Sequence, residues 1–328
     1  MSAAAHGAEL HLNDIQLLGS HNSYKQAMAP ERMAALREVN PDLARALDYR
    51  HPPLMEQLDL GLRKLELDVF YDPQGALFDR ARAPDGALSA FPVLHVQNLD
   101  DRSHCANLLH CLAQIRAWSE AHPRHLPLFV SFNAKDAVVD QPGFLRPLPF
   151  AEDVWMALDA ELRAALGSRL LPPAEVFDGD RLTWPTLSAA RGRVIAILDE
   201  GGDKRRAYAG RWRERAMFAT VAAGAAGAAI LIVNDPVAEF ARIQRLVRDG
   251  YIVRTRADAD TVEARAGDTT RRDAAWSSGA QLISTDYYLP AEQFGTGYRV
   301  RVPGGGVGRC NPLRPVEPCT LEAVPPQD

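Results

Sequence analysis

Short apolar runs alternate with amphipathic stretches along most of the chain. Residues 15–18 read as a strand, and 64–70 as a second one with Leu65, Leu67 and Val69 on one face. Residues 92–96, 128–132, 194–198, 229–233, 251–254 and 281–284 are six further apolar runs of strand length. Between them, 30–47, 102–121, 152–166, 236–249 and 270–278 carry helical periodicity. Eight strands separated mostly by helices predict a parallel sheet, and eight repeats in one unit predict an α/β fold of the (β/α)8 barrel type. A doubly wound open sheet is the alternative, but no G-x-G-x-x-G follows the first strand. After Pro290 the composition turns to glycine and proline, so 1–290 is expected to form the barrel and 291–328 an extension packed on it.

Composition narrows the function classes. The chain has 328 residues, 37 Lys plus Arg against 42 Asp plus Glu, and a net charge of −5. Such a balance gives no concentrated positive face, so no nucleic-acid partner is expected. Residues 216–233 carry no charge, but they are mostly alanine and glycine and read as a buried helix or loop before the 229–233 strand. Residues 1–7 show no signal-peptide pattern. Cys105 with Cys111 and Cys310 with Cys319 form two local pairs without zinc spacing. Two short-loop disulfides in a secreted or periplasmic protein, functioning as a monomer, are the expectation.

In such a barrel, chemistry gathers at the carboxyl ends of the strands. There stand Ser20, His21, Asn22 and Ser23 after the first expected strand, Glu66 and Asp68 on the second, His95 on the third, and Asn133, Lys135 and Asp136 after the fourth. Asp199 and Glu200 follow the fifth, and Thr285, Asp286, Tyr287 and Tyr288 the eighth. Glu66 and Asp68 share a face with period two and must point inward, where unpaired carboxylates are costly. With the amide oxygens of Asn22 and Asn133 they make an all-oxygen set suited to a hard divalent cation, Ca²⁺ before Mg²⁺. An ion pair with Arg63, Lys64 or Lys135 is the alternative fate of these carboxylates. His21 and His95 qualify as base and acid near neutral pH.

Ser20-His21-Asn22-Ser23-Tyr24, then Glu66-x-Asp68, then His95, resembles the calcium-dependent phosphoinositide-specific phospholipases C, in particular their bacterial branch. The likeness continues in Gly297-Tyr298-Arg299-Val300 and in Arg309-Cys310-Asn311-Pro312 through Cys319. It implies a TIM-type barrel that cleaves a phosphodiester by attack of an adjacent hydroxyl. It also implies calcium on the residues matching Asn22, Glu66 and Asp68. The family normally has a glutamate where this chain has Asn133, which removes one negative charge from that set. Lys135 matches a phosphate-binding lysine, and Asp199 and Tyr287 are further candidates for substrate contact. A phospholipid or small phosphodiester is the expected substrate, with transient contact at a membrane surface. A glycerophosphodiester-type activity on a soluble substrate, or an inactive barrel serving as a binding module, are the alternatives.

Overall fold

The computed structural model describes residues 9–84, 86–319 and 321. Eleven strands occur among them: β1 (Ile15–Ser20), β2 (Lys64–Val69), β3 (Leu128–Ala134), β4 (Phe177–Asp178), β5 (Arg181–Leu182), β6 (Val194–Leu198), β7 (Met217–Ala219), β8 (Ile230–Ile232), β9 (Ile252–Arg256), β10 (Leu282–Thr285) and β11 (Gly308–Cys310). β4 and β5 form a small hairpin apart from the main sheet. The remaining strands from β1 to β10 are parallel, in the order β7-β6-β3-β2-β1-β10-β9-β8. First and last strands meet, Leu17 opposite Leu282 through Ser20 opposite Thr285. The ladder is interrupted only between β7 and β8, so the sheet is a nearly closed eight-stranded α/β barrel.

The strand pattern sorts the side chains into layers. Leu17, Phe129, Ile195, Ile197, Phe218, Ile230, Ile252 and Leu282, from seven of the eight strands, form a closed apolar plug inside the barrel. Leu65, Leu67, Val69, Val130, Phe132, Ala196 and Leu198 point outward onto the helices Leu108–Ala121 and Glu152–Leu166. The polar alternates of β2 and β9 therefore stand in the interior, above the plug.

β1 meets β2 at one register pair only, Gly19 opposite Lys64. A Cβ on Gly19 would lie 2.3 Å from the Lys64 Cβ and carbonyl oxygen, so glycine is required for this approach. The earlier half of β1 is taken instead by β11, antiparallel, with Ile15 opposite Cys310 and Leu17 opposite Gly308. The extension thus completes a sheet edge, and Cys310–Cys319 anchors it. The second disulfide, Cys105–Cys111, ties the preceding loop to the first turn of helix Leu108–Ala121.

One strand assignment from the sequence needs correction, and one strand was not expected. Residues 92–96 are not a barrel strand: they make isolated antiparallel bridges, Val93 to Val69, Pro92 to Asn107 and Val96 to Asp100. Pro92 has no N–H to give a ladder, and its carbonyl only accepts from Phe70 N at the end of β2. The missing eighth strand is β7, a three-residue element hidden in the uncharged 216–233 stretch, too short to show a period. The helical stretch 30–47 divides at Asn40, whose side chain caps the second piece, Pro41–Ala46, by accepting from Leu43 N at 3.0 Å. Among the described residues no helix is long and apolar enough to cross a membrane.

Candidate active site at the barrel mouth

The residues after β1 form a tight turn, with Asn22 at φ +47°, a backbone conformation asparagine tolerates better than most residues. This turn is locked onto β2: Ser23 N donates to the Glu66 carbonyl at 2.9 Å, and Glu66 N donates to Ser23 Oγ at 2.8 Å. His21 is thereby held over the barrel interior. Its Nδ1 lies 3.1 Å from Asp286 Oδ1, and its Nε2 lies 3.6 Å from Glu66 Oε1. The Tyr49 ring stacks on it at 5.9 Å between centroids. Asp286 is also approached by Arg256 at 3.2 Å and His51 at 3.6 Å. Burial pushes the Asp286 carboxyl up, but His21, His51 and Arg256 outweigh it and hold the group ionised far below the usual range. Burial and the nearby Arg256 together hold the His21 imidazole below its ordinary value, which favours its neutral form.

His95 does not end a barrel strand. It sits in the loop between β2 and helix Leu108–Ala121, with Nδ1 2.8 Å from Asp100 Oδ2. Asp100 also faces Lys25 Nζ at 3.1 Å, and the side chains of Asp100 and Lys25 are fully buried. Backbone bonds from Gln26 N to Arg102 O and from His104 N to Tyr24 O join this loop to the His21 turn. Each histidine thus has one ring nitrogen on a buried carboxylate and a side chain that is 17% exposed.

The interior face of β2 carries Lys64, Glu66 and Asp68 in line. Lys64 Nζ is hydrogen-bonded to Glu66 Oε2, and Arg254 donates to the same oxygen at 2.9 Å. Asp68 Oδ2 meets Lys135 Nζ at 3.1 Å. Asn133, opposite Asp68 in register, donates its side-chain nitrogen to Glu66 Oε1 at 3.3 Å and to Asp68 Oδ1 at 3.2 Å. Asn22 donates to the Tyr49 hydroxyl at 2.7 Å. Burial pushes the Glu66 carboxyl up, yet Lys64 and Arg254 hold it well below the carboxylate range. Asp199 lies 3.8 Å from Arg254, and burial pushes its carboxyl up. Tyr287 stands apart, buried between Phe294 and Tyr298.

The expected oxygen set is therefore assembled, but not as a calcium site. Asn133 presents nitrogen to both carboxylates, and Glu66 is already neutralised by two cations. Among the described residues no three His, Cys, Asp or Glu side chains are grouped to hold a metal ion. A divalent ion placed here would face Lys64 and Arg254 at close range, so the set as arranged does not fit one. Sequence reasoning did not select Arg254, Arg256 or Asp100, placed Asp286 at the end of the last strand without a role, and named Lys64 only as an ion-pair partner. Arg254 and Arg256 carried the same period-two signal as Glu66 and Asp68, next to Ile252 on the interior face. Asp100, a lone acid in a loop, carried none.

Fold and site together define a barrel protein with two carboxylate-supported histidines among interior cations, a layout suited to acid–base work on an anionic group. The chain belongs to the Ca²⁺-dependent phosphoinositide phospholipase C family, whose model matches residues 10–312. Among solved structures it is similar to the calcium-dependent phosphoinositol-specific phospholipase C of a Gram-negative bacterium, Pseudomonas sp., at 15% identity and TM-score 0.55, covering 94% of this chain and 97% of that one. The myoinositol complex of that enzyme matches with TM-score 0.56 at 15% identity, covering 94% and 100% of the two chains. The phosphatidylinositol-specific phospholipase C of Streptomyces antibioticus matches at 17% identity and TM-score 0.55, covering 85% of this chain and 95% of that one. At these identities the likeness speaks for the fold. No curated protein matches the chain.

Proposed function

We propose that the chain is a phosphoinositide-type phosphodiesterase that uses an adjacent hydroxyl as nucleophile. The observation that carries this reading is the pair of histidines, His21 on Asp286 and His95 on Asp100, in two loops joined at one mouth. His21 Nε2 takes the proton of the attacking hydroxyl, whose oxygen forms the new bond to phosphorus. The ester bond to the leaving alkoxide breaks, and His95 Nε2 gives that alkoxide its proton. Asp286 and Asp100 fix the tautomers by accepting from the Nδ1–H groups, as a buried carboxylate does for a catalytic imidazole. Lys135 is half-exposed beside Asp68 and supplies positive charge at the phosphate oxygens. Asp199 and Arg254 line the same interior.

The family name implies calcium, and the resemblance assigns it to Asn22, Glu66 and Asp68, with Asn133 standing where the family has glutamate; the donor arrangement at these residues does not fit the ion. The loop after Lys135 exposes Val138 and Leu148, while Phe150 packs inside on Trp155. Two exposed apolar side chains on that loop support brief contact with a lipid surface by a monomeric enzyme. The two disulfides support export to the periplasm or beyond. The deciding experiment is turnover of phosphatidylinositol in vesicles against soluble glycerophosphoinositol. Faster cleavage of the vesicle substrate, with a cyclic inositol phosphate released, is expected. Preference for the soluble diester would favour a glycerophosphodiesterase, and cleavage of neither would leave a binding module.

A further inference from the structure

Among the described residues of the barrel mouth, the interior carboxylates Glu66, Asp68, Asp199 and Asp286 are each met by a side-chain cation, and Asp258 lies behind Asp286. Lys64 and Arg254 sit on Glu66, Lys135 on Asp68, Arg254 also near Asp199, and Arg256 on Asp286. Lys64 is fully buried and projects from the same strand face as Glu66 and Asp68, two and four residues before them. Arg254 is only 3% exposed and is fixed by Ser284 Oγ at 3.1 Å and Asn234 Oδ1 at 2.5 Å, so it cannot swing out to make room. Asn133 is neutral where a further negative charge would be needed, and its amide lies against both carboxylates.

We propose that this mouth balances its own charge and works without a divalent cation, with the Lys64 ammonium and the Arg254 guanidinium on Glu66 standing where the family holds calcium. A doubly charged ion added to this set would leave two uncompensated positive charges in a site closed from below by the apolar plug, which is electrostatically costly at low effective dielectric. The fixed cations replace the metal's service to a phosphodiester: positive charge near the equatorial phosphate oxygens, pre-oriented and needing no reorganisation. The attacking hydroxyl then depends on His21 alone for its proton transfer. This inference rests on the phosphodiesterase reading for its catalytic part and on charge balance for its binding part.

Two measurements on the whole protein separate those parts. Calorimetric titration with calcium chloride alone, and thermal unfolding with and without calcium, are expected to show no binding and no shift in Tm at millimolar ion. Turnover of phosphatidylinositol vesicles is expected to be equal in calcium and in chelator. Stoichiometric calcium binding with Kd below about 1 mM, or loss of turnover in chelator, would overturn the proposal. No binding together with no turnover would support the internal charge balance while removing the phosphodiesterase reading. Lys64→Met is expected to lower turnover at least about tenfold, and unchanged turnover would overturn the role of Lys64. The double variant Lys64→Met/Asn133→Glu removes one cation and adds one carboxylate, and is expected to gain calcium-dependent thermal stabilisation. Failure of that folded variant to respond to calcium would mean that the cations are not what excludes the metal, and would overturn the proposal.

Discussion

Asp286 Oδ1 stands 3.1 Å from His21 Nδ1 at the end of the last barrel strand, which directs His21 Nε2 toward the interior. Asp286 is buried and ionised, so in the proposed mechanism its part is to hold the His21 ring and to stabilise the imidazolium. Asp286→Asn keeps the shape but offers the wrong hydrogen-bond partner. A fall in kcat of about 10²–10⁴ is expected. The same substitution in a His21→Ala background should cost little more, because the two residues act as one unit. Additive losses would show that Asp286 acts elsewhere.

The second pair depends on a buried cation. Lys25 and Asp100 have no exposed side-chain surface, and Asp100 serves His95 as well. Lys25→Met leaves Asp100 short of its main counter-charge inside the protein. A loss of stability on the order of 3 kcal/mol is expected from urea midpoints, since breaking one side of a buried pair strands the other. Lys25→Met/Asp100→Asn should recover part of that stability while losing His95-dependent turnover. Equal losses in both variants would mean that the packing of the lysine stem matters more than its charge.

The pH profile follows from His21. Burial and Arg256 favour its neutral form, so the acid limb of kcat/KM is expected below pH ~6.5, the ordinary imidazole value. Arg256→Gln removes a nearby positive charge and should move that limb to higher pH. Asp286→Asn removes a negative one and should move what activity remains to lower pH. Shifts in the same direction for both variants would assign the limb to another group.

Much of this was legible in the chain, for identifiable reasons. Apolar runs such as Val194–Leu198 announced themselves, and Glu66 with Asp68 declared an interior face because charge at period two in an apolar strand has nowhere else to point. The strand count of eight was right while its membership was not. The 92–96 run is apolar because a loop is buried there, and β7 is three residues long in an alanine–glycine stretch. The partners of the carboxylates were less legible. Arg254 reaches Glu66 across 188 positions of sequence, and only barrel closure brings them together. Lys64 was weighed as an ion-pair partner, but the choice between a lysine and a metal needed the geometry of Asn133.

A last consequence concerns stability rather than turnover. Asp258 lies directly beneath Asp286, accepting from Asp286 N at 2.8 Å and bonded to the Thr285 hydroxyl, with Tyr298 Oη 3.3 Å away. Burial and the neighbouring Asp286 charge push its carboxyl up to about 7. The folded state therefore holds a proton on Asp258 that the unfolded chain releases near the ordinary aspartate value of about 4. Between those values the folded state binds more protons, so this group's contribution falls as pH rises from about 4 through 7. Asp258→Asn is neutral like the protonated acid and keeps an acceptor for Asp286 N, although its nitrogen cannot accept from the Thr285 hydroxyl as Asp258 Oδ2 does. The variant should match the parent near pH 4 and exceed it by about 4 kcal/mol at pH 8, read from denaturant unfolding at both values. A variant less stable than the parent at pH 8 would show that Asp258 is held ionised, with Arg256 as its counter-charge.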